Sequence, residues 1–291
     1  MKIKNTMVYA ITVFGLICFL SGCNGNAPKD STADGTAVKS DISSQNVHTG
    51  NGKTYRMRIL AKPDVIESGK QVVFSFKPEV DGIESQPVPL DANHGYEMNL
   101  IMVNSDLTWF DHKHPGLSDL GIYEQPYTFE KGGSYHLYAE YKPTGSKDTF
   151  QVKTFAVNGY ATKSTIYTES RLTSQTAPYD VTLSPEDGTK FESGNLIKFN
   201  AAINKDGMQV APNSLGDYLG GKGYMVLISV REKEFLPLYP TVENGNLVFQ
   251  TTLSKPGYYR AWLQFQNENI IHTADFVILV DQGSETSIGK E

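Results

Sequence analysis

Histidines are concentrated in one short stretch of this chain. Three of the six, His94, His112 and His114, fall within 21 residues. Alternate residues of an extended strand share a face, so the side chains of His112 and His114 are expected to point the same way. Imidazole nitrogen is a ligand that both copper and zinc accept. The spacing therefore predicts a candidate site for a divalent metal.

Neighbouring residues supply further candidate ligands. A turn at 104–107 would fold the stretch into a hairpin, with Asn99 opposite His112 and Glu97 opposite His114. The predicted ligand set is His94, His112 and His114, with Glu97 or Asn99 as a further donor.

A copper centre with a thiolate ligand is excluded for the body of the protein. Cys18 and Cys23 are the only cysteines, and both belong to the N-terminal export region considered below. Met98 and Met102, whose thioethers would favour Cu(I), are expected on the opposite face of the hairpin. The candidate site thus depends on imidazoles, and ordinary surface histidines are the alternative interpretation.

The histidine stretch resembles a motif of YtkA-like secreted β-domains of bacteria, and of similar domains encoded near copper-handling proteins. That motif reads roughly M-H-L-hydrophobic-V-x-x-D-L-x-x-F-x-H-x-H-P, followed by G-x-Y-x-L-x-A-x-F-x-P-x-G. Here the two parts read MNLIMVNSDLTWFDHKHP (98–115) and GSYHLYAEYKPTG (133–145). The resemblance implies that His112 and His114 bind metal. The sequence departs from the motif at Asn99, where histidine is usual, so His94 would have to replace that ligand.

The N-terminus is arranged like an export signal. Two lysines precede a 14-residue apolar run, residues 7–20, which is shorter than the roughly 20 residues of a membrane-spanning helix. The following Leu-Ser-Gly-Cys resembles the bacterial lipobox, which implies a diacylglyceryl thioether with palmitate-type chains on Cys23. Two acyl chains anchor a protein stably. We therefore expect an extracytoplasmic lipoprotein anchored to the cell membrane, with an uncleaved anchor helix as the alternative.

The segment after Cys23 has the composition of a tether. Residues 24–52 are rich in Ser, Thr, Gly, Asn and Asp and have almost no large apolar side chain, so they cannot bury enough surface to fold. The net charge of −6 argues against nucleic acid as a partner. The expected partners are the membrane, reached through the lipid, and a metal ion, while the identity of a protein partner is unknown.

The body contains two copies of one sequence. Residues 67–115 align with 192–240 without a gap and share 11 identities in 49 positions, where about three would arise by chance. A shift of 124 residues then aligns Lys-x-Gly-x-Tyr at 131–135 with the same pattern at 255–259. Such a repeat predicts an internal duplication.

Each copy has the pattern of a β-sandwich. Residues 98–103 and 225–230 are continuous apolar runs of strand length, whereas 135–141 and 259–265 alternate. We expect an all-β chain with two tandem immunoglobulin-like or cupredoxin-like β-sandwich domains. One elongated β protein in which the copies share a core is the alternative.

These patterns divide the chain into five expected segments. They are a signal peptide (1–22), the lipidated cysteine with a flexible linker (23–52), copy one (53–160), copy two (176–282) and a tail (283–291). Copy two carries Leu219, Pro237 and Tyr239 where copy one has its histidines. Metal is therefore expected in copy one only.

The sequence indicates a binding protein and not an enzyme. It has no G-x-S-x-G, P-loop or H-E-x-x-H motif. The main hypothesis is a membrane-anchored extracytoplasmic lipoprotein that binds copper, zinc or another divalent metal through copy one. The alternative is a metal-free adhesion or protein-interaction module that uses tyrosine-rich faces, and a metal-dependent hydrolase is a distant third.

Overall fold

The computed structural model describes residues 48–50, 53–83, 88–161, 163–188 and 190–283. The expected signal peptide, Cys23, nearly all of the expected tether and the tail from residue 284 lie outside the described residues. The described residues of both copies belong to one compact unit. In the part of the chain that is described, no helix is long and apolar enough to cross a membrane.

Copy one is a sandwich of two β-sheets. Its strands are β1 (His48–Gly50), β2 (Lys53–Lys62), β3 (Ile66–Glu67), β4 (Gln71–Val80), β5 (Met98–Asn104), β6 (Phe110–Lys113), β7 (Gly116–Leu117), β8 (Tyr123–Thr128), β9 (Gly133–Tyr141) and β10 (Thr149–Asn158). One sheet has the order β1-β2-β4-β8-β7 and the other β3-β10-β9-β5-β6. Strand β1, which pairs with β2, lies inside the stretch expected to be tether.

Copy two repeats this arrangement. Its strands are β11 (Thr173–Thr176), β12 (Tyr179–Pro185), β13 (Leu196–Lys205), β14 (Met208–Gln209), β15 (Tyr224–Ser229), β16 (Phe235–Leu238), β17 (Thr241–Glu243), β18 (Asn246–Thr252), β19 (Gly257–Asn267) and β20 (Ile270–Val280), with 3-10 turns at Glu186–Gly188 and Pro212–Ser214. One sheet has the order β11-β12-β13-β18-β17, with β14 beside β13, and the other β16-β15-β19-β20. The first strand begins at Thr173, three residues before the expected start at 176.

The matching topology confirms two tandem sandwiches of duplicated sequence. Strands β4 and β13 begin and end 125 residues apart, and so do β6 and β16. In both copies a tyrosine of the central strand donates its hydroxyl to a backbone carbonyl four residues earlier, Tyr135 to Lys131 (2.8 Å) and Tyr259 to Lys255 (2.9 Å). This is the tyrosine corner of immunoglobulin-like sandwiches.

A third apolar cluster joins the two sandwiches. Each sandwich has its own core, so the copies do not share a single one. The joining cluster takes equivalent positions from both copies, namely Ile101 and Val226, Val103 and Ile228, Phe110 and Phe235, and Tyr138 and Trp262. The same sheet face of each copy thus meets the other, as in the interface of a two-fold dimer. We call this surface the docking interface.

The docking interface explains the two apolar runs. A strand that is covered on both faces reads as a continuous apolar segment, because neither set of side chains meets water. All six residues of β15 are buried, and so are the first six of β5. The alternation expected for 135–141 and 259–265 is wrong for the same reason, since residues 137–141 and 259–265 are all buried.

Candidate functional site

The hairpin that carries the histidines has a different register from the expected one. Strands β5 and β6 pair so that Ile101 faces His112. The expected cross-strand pairs, Asn99 with His112 and Glu97 with His114, are therefore wrong by two residues. A shift of two returns each side chain to the same face, and the two methionines of β5 lie in the copy-one core as expected.

The turn of this hairpin is longer than expected. Hydrogen bonds to Asn104 fix its backbone, and burial fixes the side chain of Leu107. Oδ1 of Asn104 accepts hydrogen bonds from the backbone N–H groups of Thr108 and Trp109, each at 2.9 Å. Leu107, with φ of 58°, is fully buried in the docking interface. Burial of this leucine favours a turn that spans 104–109 over a four-residue turn.

His112 lies against copy two. Its Nδ1 is 2.6 Å from Oε1 of Gln264 on β19. Since a carboxamide oxygen only accepts hydrogen bonds, Nδ1 carries the proton. The hydroxyl of Tyr218 donates to the same oxygen at 3.2 Å, and the ring of Tyr224 lies 5.4 Å from the imidazole, centroid to centroid. His112 is thereby a contact between the two sandwiches.

The environment of Nε2 explains why the pKa of His112 is lowered. Among the described residues Nε2 is buried without a hydrogen-bond partner. A proton added there would place an uncompensated cation in the interface. Burial accordingly lowers the pKa of His112 from 6.5 to about 3, although the hydrogen bond to Gln264 acts in the opposite direction. The ring is neutral at physiological pH.

His114 stays close to His112 but contacts its own copy. Its ring stacks on Tyr96 at 3.5 Å and lies 4.7 Å from the His112 ring, between centroids. Burial lowers the pKa of His114 from 6.5 to about 4. Within the described structure, Nδ1 of His114 is also buried and unpartnered. These two histidines are brought together, as the sequence predicts.

His94 reaches across the docking interface in a different place. Its residue lies in a left-handed turn, with φ of 56°, and its ring stacks on Tyr239 of copy two at 4.0 Å. Gly220 of copy two lies against this ring, since a Cβ added there would overlap Nδ1 of His94. Glycine at this position therefore makes room for the imidazole.

The remaining two candidate ligands are engaged elsewhere. Nδ2 of Asn99 donates to Oε2 of the buried Glu140 at 3.2 Å, and the same oxygen accepts from the Tyr224 hydroxyl at 3.2 Å. Burial raises the pKa of Glu140, against the effect of these hydrogen bonds. Glu97 accepts a hydrogen bond from the Tyr123 hydroxyl at 2.8 Å.

The five candidate ligands do not form one convergent group. A protein metal site needs three or more donors directed at one point. Among the described side chains, no group of three His, Cys, Asp or Glu residues is placed to hold a metal ion. What the arrangement does provide is a polar network that crosses the docking interface.

Two members of this network, Glu140 and Gln264, were not among the candidate residues predicted from the sequence. Glu140 and Gln264 occupy equivalent positions of β9 and β19, and each accepts hydrogen bonds from a tyrosine of copy two. The available signal was the pair of continuous apolar runs, which indicates that both faces of the strands are covered. Polar residues beside such runs, like Glu140, are then expected to be buried and paired.

Comparisons with known proteins concern the fold. Residues 174–282, less than half of the chain, match a family described as a domain of unknown function (DUF8832). Among curated proteins, none matches this sequence.

Three solved structures illustrate the similarity. Fibronectin(III)-like modules of Clostridium thermocellum CbhA are 13% identical over 80% of this chain and 100% of theirs, with a TM-score of 0.22. A tetra-tandem repeat from the extending region of a large adhesion protein is 11% identical over 78% and 50% (TM-score 0.25). A Ca²⁺-stabilised adhesin of an Antarctic bacterium is 10% identical over 79% and 49% (TM-score 0.23). The chain spans about half the length of these two adhesion structures.

Proposed function

We propose that this chain is a non-enzymatic interaction protein of the cell envelope. It is held at the membrane by lipid on Cys23 and presents two β-sandwiches that are docked into one unit. The export signal, the Leu-Ser-Gly-Cys sequence and the polar tether support the anchor. The docked pair supports a role in presenting a surface to a partner.

One observation carries the choice between interaction and metal binding. The ring of His112 bonds to Gln264, and the ring of His94 stacks on Tyr239, both across the docking interface. Two of the three histidines thus hold the sandwiches together. Copy two lacks the histidines because its side of the interface supplies their partners instead.

Metal binding is a second candidate on a separate observation. Nε2 of His112 and Nδ1 of His114 are both buried and, within the described residues, without a hydrogen-bond partner. Their ring centroids are 4.7 Å apart. Two neighbouring imidazoles, each with a buried ring nitrogen that has no partner among the described residues, are the part of the arrangement that favours copper or zinc.

Calorimetric titration separates the two candidates. Cu(II) and Zn(II) are titrated into the purified protein and into a His112→Ala/His114→Ala double variant. We expect no stoichiometric heat that depends on the two imidazoles. Stoichiometric binding by the wild type that disappears in the double variant would contradict the metal-free proposal and establish the second candidate.

Photo-crosslinking in cells tests the interaction itself. A photoreactive amino acid replaces Leu120 of copy one (85% exposed) or Met208 of copy two (73% exposed). We expect a discrete crosslinked product from at least one of these positions. Buried Leu137 is the control position, because its side chain cannot reach a partner. If neither exposed position gives a crosslinked product, the result would count against an interaction module.

A further inference from the structure

Copy one contains a groove that the docking interface does not use. It has a volume of about 700 Å³ and lies between the β5–β6 turn, the β8–β9 connection and two parts of the segment that joins the copies, Ala161 and residues 163–165. Ligand sites for small molecules typically measure about 300–1,000 Å³. The groove therefore has the size of a binding site.

Aromatic side chains line the groove. Trp109 and Tyr127 are both half-buried. Trp109 packs edge-on against Tyr127, Phe129 and Tyr135, with ring centroids 5.6–6.2 Å apart. Tyr127 is held in turn by a hydrogen bond from its hydroxyl to Asp111 at 2.7 Å. Packing thus fixes both half-exposed rings before any ligand arrives, which lowers the entropic cost of binding.

The wall formed by the joining segment is also fixed in place. Oδ2 of Asp106 accepts a hydrogen bond from the backbone N–H of Thr165 at 3.2 Å, and the Tyr167 hydroxyl donates to the Asp106 carbonyl at 2.8 Å. The other carboxylate oxygen of Asp106 accepts from the Thr108 hydroxyl at 2.9 Å. The groove is a built feature of the fold and not a gap beside a loose loop.

The rim offers hydroxyls and charges of both signs. The charged lining residues are two acidic and two basic ones, Asp106, Glu130, Lys131 and Lys163, and serine and threonine side chains supply the hydroxyls. Because the charges balance, the lining favours a neutral ligand with many hydrogen-bonding groups over an anion or a cation.

Copy two shows that the sandwich does not need these aromatic residues. The backbone N–H of Asn104 donates to the carbonyl of Trp109, and in the equivalent turn of copy two the N–H of Ser229 donates to the carbonyl of Glu234. Glutamate thus occupies the tryptophan position in copy two. Threonine occupies the Tyr127 position, because Thr251 pairs with β13 as Tyr127 pairs with β4. The two half-buried rings of the groove, Trp109 and Tyr127, are thus present in copy one alone.

We propose that this groove binds a short neutral oligosaccharide, with the rings of Trp109 and Tyr127 against the apolar faces of its pyranose rings. A pyranose presents C–H groups on its faces and hydroxyls at its edge. The electron-rich face of an aromatic ring attracts the C–H groups, while the rim accepts and donates hydrogen bonds to the hydroxyls. The inference gives a ligand class to the interaction protein proposed above.

Tryptophan fluorescence tests the proposal directly. The chain has two tryptophans, and Trp262 is 3% exposed in the docking interface. In a Trp262→Phe variant the emission therefore reports on Trp109. We expect a saturable change of that emission on titration with chitotetraose or cellotetraose. Absence of a saturable response to both saccharides, in fluorescence and in calorimetry on the wild type, would overturn the proposal.

Variants taken from copy two provide the matched test. Trp109→Glu and, separately, Tyr127→Thr introduce the residues that the equivalent positions of copy two carry. We expect each to weaken saccharide binding, measured by calorimetry, by at least about tenfold. Tyr160→Ala removes an aromatic side chain that is 85% exposed outside the groove and should leave the affinity unchanged. Equal affinity of wild type and both groove variants would also overturn the proposal.

This experiment is independent of the lipid anchor and of the metal titration. Failure of saccharide binding, with crosslinked partners still found in cells, would remove the ligand class and leave the interaction function. If saccharide binding and crosslinking to a partner are both absent, the proposed function would be contradicted as well.

Discussion

Replacement of His112 by asparagine should remove a defined part of the acid sensitivity of this protein. In the wild type, Nδ1 of His112 donates to Gln264 and Nε2 is buried, so the folded state holds the ring neutral. The amide nitrogen of asparagine lies close to the position of Nδ1 and keeps a donor for Gln264. The variant therefore removes the titrating group while the hydrogen bond across the interface persists.

The magnitude follows from the lowered pKa. Burial brings the pKa of His112 to about 3 in the folded protein, against 6.5 in an unfolded chain. The unfolded state thus binds the proton more tightly. The stability that comes from the neutral ring is complete above about pH 6.5 and decreases as the pH falls toward 3. At pH 5.0, which is about 1.5 units below the pKa of the unfolded chain, the free energy of unfolding has fallen by roughly 2 kcal/mol on account of this ring.

Urea unfolding at pH 7.5 and pH 5.0, followed by tryptophan emission, measures this contribution. The loss of unfolding free energy between the two pH values should be roughly 2 kcal/mol smaller in His112→Asn than in the wild type. His272→Asn is the control, since that ring lies outside the docking interface and packs on Tyr179 at 4.4 Å between centroids. Equal losses in wild type and His112→Asn would show that His112 is not a buried neutral ring and would refute the reasoning.

Three further outcomes are expected. Phe235→Ala should lower the unfolding free energy by about 3–5 kcal/mol, because the ring is 3% exposed and contacts Tyr138 and Phe150 of the other copy; a loss below about 1 kcal/mol in urea unfolding would show that the docking interface is loose. Asn104→Ala should cost about 1–3 kcal/mol, because two backbone N–H groups lose their acceptor, and unchanged thermal unfolding would contradict the anchored turn. Cys23→Ala should move the protein from the detergent phase to the aqueous phase in phase partitioning, and continued membrane retention would contradict the lipid anchor.

The fold was accessible from the sequence because duplication and strand patterns are local or repeated signals. The gap-free alignment of 67–115 with 192–240 predicts two equal domains, and the strand positions of both copies agree with it. The sharing of one strand face by His112 and His114 was also predictable, because side chains alternate between the two faces of a strand whatever the register. His112 and His114 therefore lie together, as expected.

The register itself was not accessible, because a contact between the hairpin turn and copy two decides it. Leu107 is buried by copy two, and its burial lengthens the turn by two residues. No spacing within the hairpin indicates that copy two lies there. The pairing of Asn99 with Glu140, and of Glu97 with Tyr123, depends on the resulting positions of the strands.

By itself the sequence determined the two sandwiches, their equivalent strands and the residue types available at each face, since these follow from periodicity and repetition along the chain. Only the tertiary structure decided what the histidines do. His112 meets Gln264, which is 152 residues away, because the same sheet face of each copy is apolar and burial of both faces against each other removes them from water. That long-range association leaves the imidazoles of His94 and His112 inside the docking interface and the aromatic groove of copy one outside it.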